Sequence, residues 1–440
     1  MTARELSESC VMGNRYRVSE DPAFQARAVT LRAAELSLAE EVLEVHGRFT
    51  VAEQITMTGH TNTRAFKAGV RSMVAVRSFL GGHAGFSYTT DISSMGINRA
   101  ICAARSARTL ALDSPIPGLP TEDDGRWEDR SAALSQLEAM WVAQATEAEL
   151  VLRKSRTTVI HARSDNAHAE YSEGSTSAIV SRGPRTEAIW SRELNAEHLQ
   201  NLLEYTSTGQ EKPWSLAHHP IIFLGAAGAA LTAIILRGLV GPSPHLAKKI
   251  ASRLPNGLYV IDDAADSLGP AGGPFDGEGW PTLRRTLAER GELAVEPTLW
   301  GCPSRTSGPH GLSWRRDLAR PPVLAPSNVM LVARPLMESN ASGSQAWIAK
   351  LNRGLVCDSV TAGALSLDLQ TGSFAVPCTG RLVRSGEVTE RRVRGMLQGS
   401  VDELAAGIVD VSPASGYTPL DCGVHNADIF VVHGIALQSM

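Results

Sequence analysis

The sequence lacks the features that mark several large classes of protein. Its 42 basic and 46 acidic side chains nearly cancel, to a net charge of -4, so the composition gives no reason to expect nucleic acid or an anionic membrane as a partner. The six cysteines are scattered and form no Cys-x-x-Cys pair, which favours reduced thiols in a cytoplasmic protein over a disulfide framework. No apolar segment follows a basic start at the N-terminus, so no signal peptide is expected.

One long apolar stretch is present, HHPIIFLGAAGAALTAIILRGLVG at residues 218–241. A proline, four glycines and one arginine interrupt it, and a charge inside a membrane is costly, so the stretch is not predicted to cross one. Its first part predicts a short buried strand, and its second part predicts a helix that ends at Gly238 or Gly241. The adjacent His218 and His219 would point to opposite faces of an extended segment, which is a poor arrangement for binding a metal.

Hydrophobic periodicity along the rest of the chain predicts an α+β fold in two domains. Residues 1–212 are expected to form an N-terminal α/β domain with an antiparallel sheet and helices, and residues 213–440 a strand-rich domain of sheet or barrel-like form. The segments whose alternation predicts strands and hairpins are 47–93 and 155–183. The alanine-rich segments that predict helices are 21–47, 94–113 and 131–153.

The segment YVIDDAADSLGPAGGPFDGEGW, residues 259–280, is acidic and rich in glycine. Its five carboxylates, within seventeen residues, are those of Asp262, Asp263, Asp266, Asp276 and Glu278. Their spacing does not match the ligand positions of an EF-hand calcium loop. The simplest interpretation is a solvent-exposed loop whose acids cap turns, placed after a strand and before a hairpin that turns at Arg290 and Gly291.

The same segment carries a family resemblance. DDAADSLGPAGGPFDGEGWPTLRRTLAERGEL resembles the signature of the TldD/PmbA metallopeptidase family, where an Asp-Asp pair leads through glycines to Phe-Asp-x-Glu-Gly-x-Pro-Thr. GHAGFSYTTDIS (82–93) and GALSLDLQTGSFAVPCTGRLVRSGEVT (363–389) resemble two further family segments, in the same order along the chain. The resemblance implies that nine residues line a substrate cleft or a subunit interface: Asp262, Asp263, Phe275, Asp276, Glu278, Thr371, Gly372, Ser373 and Phe374.

The family has two branches, which differ at the helix that follows a buried strand. In the TldD-like branch this helix carries His-Glu and, one turn later, a second His, a spacing that places two zinc ligands and a general base on one face. Here the corresponding helix is GAAGAALTAIILRG, which contains no His, Glu, Asp or Cys. The chain therefore resembles the PmbA/TldE branch, which has no zinc helix and works with a TldD-like partner that carries the zinc. No cofactor is expected in this chain.

Two smaller groups of residues are weaker candidates. Cys422 and His425 lie near the place where the zinc-bearing branch keeps a cysteine ligand, but two ligands alone do not make a zinc site. Ser304, Ser307 and His310 in CPSRTSGPHG are placed by the resemblance in the cleft or interface, without a local signature for a nucleophile. His433 in FVVHGIAL is expected in a terminal strand. The basic segment 380–395 predicts a solvent-exposed hairpin, with a surface for an acidic peptide or a partner subunit as the alternative.

Two functions of different class follow from these observations. The first is the non-metallated subunit of a heterodimeric zinc metallopeptidase that cleaves small or unfolded peptides, in which this chain shapes the cleft and the partner supplies zinc and general base. Ser373 and Ser385 depart from the family pattern, which suggests a specialised member that serves a biosynthetic or peptide-maturation pathway. The second is a stand-alone homodimeric binding or scaffold protein without peptidase activity. An independent hydrolase with an unrecognised site is a third alternative.

Overall fold

The computed structural model describes most of the chain. The described residues are 30–59, 63–108, 110–111, 126–127, 132–144, 148–165, 167–182, 185–196, 198–200, 212–213, 216–217, 219–266, 268–293, 312–314, 319–320, 322–333, 343–412, 416–420 and 422–438. Three of the sequence-based predictions lie outside them: Ser304, Ser307 and His310. His218, most of the boundary segment and most of the proline-rich loop 114–129 also lie outside the described residues.

The N-terminal half is built from long antiparallel strands with helices against them, and residues 30–34, within the first predicted helix, are helical. Its strands are β1 Val42–Thr58, β2 Thr63–Leu80, β3 His83–Thr89, β4 Leu110–Ala111, β5 Arg126–Trp127, β6 Glu149–Arg163, β7 His168–Arg182 and β8 Arg185–Ser191. Its other helices are α1 Ser94–Ser106 and α2 Leu134–Gln144. The hairpins predicted from the alternating segments are confirmed, because β1 pairs with β2, β2 with β3 and β6 with β7.

Three helix predictions extend too far. Helix α1 ends at Ser106, and residues 110–111 form strand β4. Residues 42–47 belong to strand β1, and residues 149–153 begin strand β6. Residues 42–47 and 149–153 contain Glu and Leu, which favour helix, but β1 pairs with β2 and β6 along nearly its whole length. Ladder hydrogen bonds and burial on the sheet therefore outweigh the local helix propensity.

The C-terminal half has shorter strands around one buried helix. Its helices are α3 Ala226–Val240, α4 Pro244–Arg253, α5 Ser344–Lys350 and α6 Val401–Gly407. Its strands are β9 Lys212–Pro213, β10 Leu216–Ala217, β11 Ile221–Phe223, β12 Leu258–Asp263, β13 Arg284–Glu289, β14 Glu292–Leu293, β15 Ser313–Trp314, β16 Val323–Leu324, β17 Asn328–Ala333, β18 Arg353–Val360, β19 Ser366–Leu367, β20 Ser373–Arg384, β21 Glu387–Ser400, β22 Ile408–Val411, β23 Tyr417–Pro419, β24 Gly423–His425, β25 Ile429–Val431 and β26 Ile435–Gln438.

The strand and helix predicted for residues 219–241 are confirmed as β11 and α3. Helix α3 ends at Gly241, after which Ser243 caps α4 by accepting a hydrogen bond from the Leu246 N–H at 3.3 Å. The hairpins at Arg290 and Gly291 and at Ser385 and Gly386 are also confirmed. The prediction for His433 is wrong: it lies exposed in the turn between β25 and β26, because the chain bends there at Gly434, which has a φ of +90°.

Two large sheets connect these elements. Among the described strands, fourteen form one sheet in the order β14-β13-β12-β17-β24-β23-β8-β7-β6-β1-β2-β3-β4, with β5 beside β7. The second sheet runs β10-β26-β21-β20-β18-β11-β25-β22, with β19 beside β20 and β9 beside β21. The first sheet crosses from one half of the chain to the other where Tyr417 of β23 pairs with Trp190 of β8. The α+β class and the strand-rich C-terminal half are confirmed.

The largest hydrophobic core surrounds α3, which contacts β18, β23, β24, α4 and α6. Separate clusters lie beneath α1 and α2 on the N-terminal half of the first sheet. They cover one face of β1, β6 and their neighbours and leave the other face, which carries Arg, Ser and Thr, for the site described next. No described helix is long and apolar enough to cross a membrane.

Candidate functional site

The acidic loop, residues 262–283, folds inward instead of facing solvent. The side chains of Asp262, Asp276 and Glu278 are 0%, 1% and 4% exposed, and Asp263 is 9% exposed. The expectation of a solvent-exposed loop is therefore wrong, because tertiary contacts with both halves of the chain cover it. The expectation that its acids cap turns is confirmed at Asp276, whose Oδ1 accepts hydrogen bonds from the N–H groups of Glu278 at 2.9 Å and Trp280 at 3.0 Å.

Asp262 fastens the beginning of the loop to strand β17. Its Oδ1 accepts hydrogen bonds from Ser327 N at 2.9 Å, Ser327 Oγ at 2.7 Å and Asn328 N at 2.9 Å. Burial raises the pKa of Asp262 to about 6, although these hydrogen bonds act to lower it. Asp262 therefore holds the beginning of the loop in place.

Glu278 joins the loop to the N-terminal half through a buried ion network. Arg77 of β2 donates hydrogen bonds to the carboxylates of Glu278 and of Glu44 on β1, with 2.7 Å from Nη1 to Glu278 Oε1. Burial acts to lower the pKa of Arg77, but the two carboxylates outweigh it and raise that pKa. His161 Nε2 lies 2.9 Å from Glu44 Oε1. The network ties residues far apart in the chain into one rigid contact.

Aromatic packing completes this attachment. The Phe275 ring meets the Tyr171 ring edge-on at 5.0 Å between centroids, and the His161 ring is 6.4 Å away. Gly273 lies so close to Tyr171 that an added Cβ would be 2.6 Å from its ring. The loop is thus held against strands β6 and β7 by shape as well as by charge.

The loop forms one wall of a cavity of about 330 Å³ between the two halves of the chain. Its remaining walls come from the N-terminal sheet and from the segments before β17 and β24. Residues that define its chemistry are His46, Arg48, Tyr171, Glu173, Ser327 and Cys422. Burial raises the pKa of Glu173, while the positive charges of Arg48 and Arg192, at 3.8 and 3.2 Å, act to lower it. The Glu173 carboxyl group in the cavity wall thus lies close to two guanidinium groups.

A groove of about 850 Å³ continues from the cavity along the polar face of β2, β1, β6 and β7. The two spaces share five lining residues: Arg48, Ser155, Thr157, Ser175 and Trp190. Hydroxyl groups bridge neighbouring strands on this face, with Thr50 and Thr157 Oγ1 atoms 3.0 Å apart and Trp190 Nε1 donating to Ser175 Oγ at 2.9 Å. An open, hydrogen-bonding sheet face of this kind can hold an extended ligand.

The residues of helix α3, which corresponds to the zinc helix of the TldD-like branch, do not fit a zinc ion. Helix α3 is buried along most of its length, and an added Cβ at Gly228 would lie 1.9 Å from the carbonyl oxygen of Ala427. Among the residues that the structure describes, no group of three or more His, Cys, Asp or Glu side chains is placed to hold a metal ion. Cys422 lines the cavity, whereas His425 packs against the Tyr417 ring at 5.0 Å, and burial lowers its pKa.

The other predicted site residues lie elsewhere. The segment Thr371–Phe374 leads into β20, which begins at Ser373, and it lies against α4, where Gly372, with a φ of +79°, approaches Leu246. Thr371 and Ser373 are exposed, and Asp368 accepts hydrogen bonds from Gln370 N at 2.8 Å and from Thr371 Oγ1 at 2.8 Å. This segment lines neither the cavity nor the groove. A cleft or interface role for it, and for the acidic loop, stays a prediction.

Sequence reasoning did not single out the residues of the groove. Arg48, Thr50, Ala52 and Gln54 occupy alternate positions of β1, and period-2 alternation was recognised there as a hairpin signal. What the alternation leaves open is which strands lie side by side. Only the pairing of β1 with both β2 and β6 brings the polar residues of distant segments onto one surface.

No curated protein matches the chain. The structure is similar to TldE from Thermococcus kodakarensis, with TM-score 0.70, 18% identity and coverage of 90% of this chain and 96% of that one. It is also similar to a candidate modulator of a DNA gyrase from Thermotoga maritima (TM-score 0.69, 14% identity, 91% and 96% covered). A candidate modulator of DNA gyrase from Bacteroides thetaiotaomicron is a further match (0.66, 14%, 95% and 98%).

These matches show that the molecule has the two-sheet α+β fold of TldE over nearly its whole length. Residues 240–419 match the family model described as the PmbA/TldA metallopeptidase C-terminal domain. This part of the chain is therefore similar to the C-terminal domain of that family, in agreement with the resemblance of its motifs.

Proposed function

We propose that this chain is the non-metallated subunit of a heterodimeric TldD/TldE-like zinc metallopeptidase that cleaves small or unfolded peptides. A TldD-like partner carries the zinc ion and the general base, and this chain shapes part of the peptide cleft. The scattered cysteines favour a cytoplasmic location. The departures at Ser373 and Ser385 support a dedicated role in a biosynthetic or peptide-maturation pathway.

The observation that carries the proposal is the packing of α3. This helix follows a buried strand, as the zinc helix does in the TldD-like branch of the family, yet its residues are alanine, glycine, leucine, isoleucine and threonine on the buried face. At Gly228 there is no room even for a methyl group. Because none of these side chains can bind zinc or accept a proton, metal chemistry would have to come from another chain.

A second observation supports a role in holding peptide. The cavity and groove together form an open polar surface lined by hydroxyl, guanidinium and indole groups. Such groups bind a peptide through hydrogen bonds and charge and leave bond cleavage to the metal-bearing subunit. This division of work explains why a member of a metallopeptidase family can keep a shaped surface without a metal-binding helix.

The proposal is tested by co-expression with a family member that carries the His-Glu…His helix. The pair is purified through a tag on this chain and assayed for zinc content and for cleavage of an unfolded peptide, with and without a chelator. We expect zinc and chelator-sensitive cleavage in the pair, and neither in this chain alone. A co-purified pair without zinc and without chelator-sensitive cleavage would refute the proposal, and so would stoichiometric zinc in this chain alone.

Cys422→Ser is the matched control within this chain. If the partner holds the zinc, the variant pair keeps the zinc content of the wild-type pair. A loss of zinc in the variant would instead identify Cys422 as a ligand and contradict a wholly partner-based site. A chain that binds peptide but never co-purifies with the zinc-bearing relative would favour the stand-alone binding protein.

A further inference from the structure

The groove on the N-terminal sheet has a regular arrangement of side chains that the strand register defines. Thr50 pairs with Arg71 on one side and with Thr157 on the other. Two residues further along β1, Ala52 pairs with Gly69 and Ser155. Arg48 lies one row before Thr50, and Gln54, beside Arg153, one row after Ala52. At about 3.4 Å per residue, the distance from the Arg48 row to the Arg153 row is about 20 Å, enough for an extended segment of about six residues.

The row of residues around Ala52, in the middle of the groove, has little side-chain volume. Its side chains are small, those of Ala52, Ser155 and Ser175, and Gly69 has none. An added Cβ at Gly69 would meet no atom within 4 Å, so the protein's own packing does not require glycine there. A chain lying in the groove can therefore approach the sheet closely at this row, between taller residues on either side.

The charge of the groove has one sign. Of the residues that the structure describes, Arg48, Arg71 and Arg153 line it, and no Asp or Glu does. Within the described part of the chain, Arg71 and Arg153 form no ion pair, and both are exposed; Arg48 has one carboxylate, Glu173, at 3.8 Å. A guanidinium group binds a carboxylate through two parallel hydrogen bonds, so side chains of this type select acidic groups.

We propose that this groove binds an extended peptide segment with acidic side chains, and that Arg71 and Arg153 determine its preference for carboxylates. The inference rests on the proposed function, because it names the class of peptide that the cleft would accept. Alternate residues of an extended peptide face the same side, so a segment with Glu at every second position presents all its carboxylates to the arginines. Single-stranded nucleic acid is the less suitable ligand, since it binds on successive aromatic side chains and, among the described residues, Trp190 is the one aromatic that lines this groove.

Binding is measured by fluorescence anisotropy on the full-length chain without a partner. The probes are labelled Gly/Ser peptides of about ten residues with Glu at alternate positions, and the same peptides with Gln in place of Glu. We expect the Glu peptide to bind at least about tenfold more tightly at low salt, and the preference to shrink as salt is added. Equal affinity for the two peptides would overturn the proposal, and so would tighter binding of an oligothymidylate of the same charge.

Substitutions of arginines inside and outside the groove separate binding in the groove from general attraction by charge. Arg153→Gln with Arg71→Gln is expected to lower affinity for the Glu peptide about tenfold and to leave affinity for the Gln peptide unchanged. The matched control is Arg156→Gln: Arg156 is exposed on the same strand but does not line the groove, so it should leave both affinities unchanged. If the double variant and Arg156→Gln lost equal affinity for the Glu peptide, the attraction would be non-specific.

Gly69→Val tests the groove by shape alone. Valine is favoured in strands and meets open space here, so the fold should be retained, as checked by thermal unfolding, while binding of the Glu peptide is lost. Retained binding in this variant would contradict the location of the site. Because these assays need neither zinc nor a partner, the groove can fail while the pair still cleaves peptides, and the pair can fail while the groove still binds.

Discussion

The acidic loop and the arginine-lined groove are both strongly charged, but they use their charges differently. Asp262, Asp276 and Glu278 are buried, and each is bound by donors of this same chain. Arg71 and Arg153 in the groove are exposed and, within the described residues, form no ion pair. Charge that is satisfied internally stabilises the fold and, at Glu278, joins the two halves of the chain, whereas charge left open to solvent is available to a ligand.

Arg77→Met is expected to give the largest effect on stability. It leaves the carboxylates of Glu44 and Glu278 buried and close together without their cation, so the free energy of unfolding should fall by about 4 kcal/mol. Urea unfolding of the purified chain measures it.

Two further variants serve as controls for Arg77→Met. Arg153→Gln removes an exposed, unpaired guanidinium and should change stability by less than about 0.5 kcal/mol. Adding Glu44→Gln and Glu278→Gln to Arg77→Met removes the isolated charges and should recover part of the loss. If Arg77→Met and Arg153→Gln had equal effects, the contrast between the buried network and the groove would be wrong.

Asp262→Ala is expected to have the second-largest effect, lowering the free energy of unfolding by about 3 kcal/mol. The reason is that three donors of Ser327 and Asn328 lose their acceptor in a fully buried place. Asp262→Asn keeps an acceptor oxygen and should lose less. The measurement is the midpoint of urea unfolding at neutral pH. A loss no larger for Ala than for Asn would show that the hydrogen bonds contribute little.

Two glycines give opposite results for the same substitution. Gly228→Ala places a methyl group against the Ala427 carbonyl and should cost about 2 kcal/mol despite the higher helix propensity of alanine. Gly69→Ala meets open space in a strand and should be neutral or stabilising within about 0.5 kcal/mol. Thermal unfolding of both variants compares them. If Gly228→Ala left stability unchanged, α3 would not be closely packed at this position.

The smallest expected effect is the pH dependence that comes from Glu41. Burial acts to raise its pKa, but hydrogen bonds from Arg105, Ser78 and Leu38 lower it to about 2 from 4.5. Because the folded pKa is the lower one, this group stabilises the fold above pH 4.5, and the contribution disappears as pH falls toward 2.

Glu41→Gln should therefore reduce the slope of stability against pH in that window and cost about 1 kcal/mol at neutral pH. Urea midpoints measured across the acid range test this. Parallel curves for the variant and the wild type would contradict the assignment of the slope to Glu41.

Sequence reasoning reached the fold class and the elements whose pattern is local. The strand and helix at 219–241 and the hairpins at Gly81, Gly291 and Gly386 were predicted, because glycine at positive φ and hydrophobic periodicity act over a few residues. The helix expected through residue 47 was wrong, since β1 gains its stability from pairing with strands distant in sequence. Local propensity contains no information about those partner strands.

The site divides in the same way. The sequence by itself determined that α3 carries no zinc ligand and that an acidic, glycine-rich segment with the family signature follows β12. Only the tertiary structure decided that the acids of that segment point inward and that Arg48, Arg71 and Arg153 share one open face. The physical reason is that side-chain identity is a property of the chain, whereas burial and free charge depend on which strands become neighbours when the sheet forms.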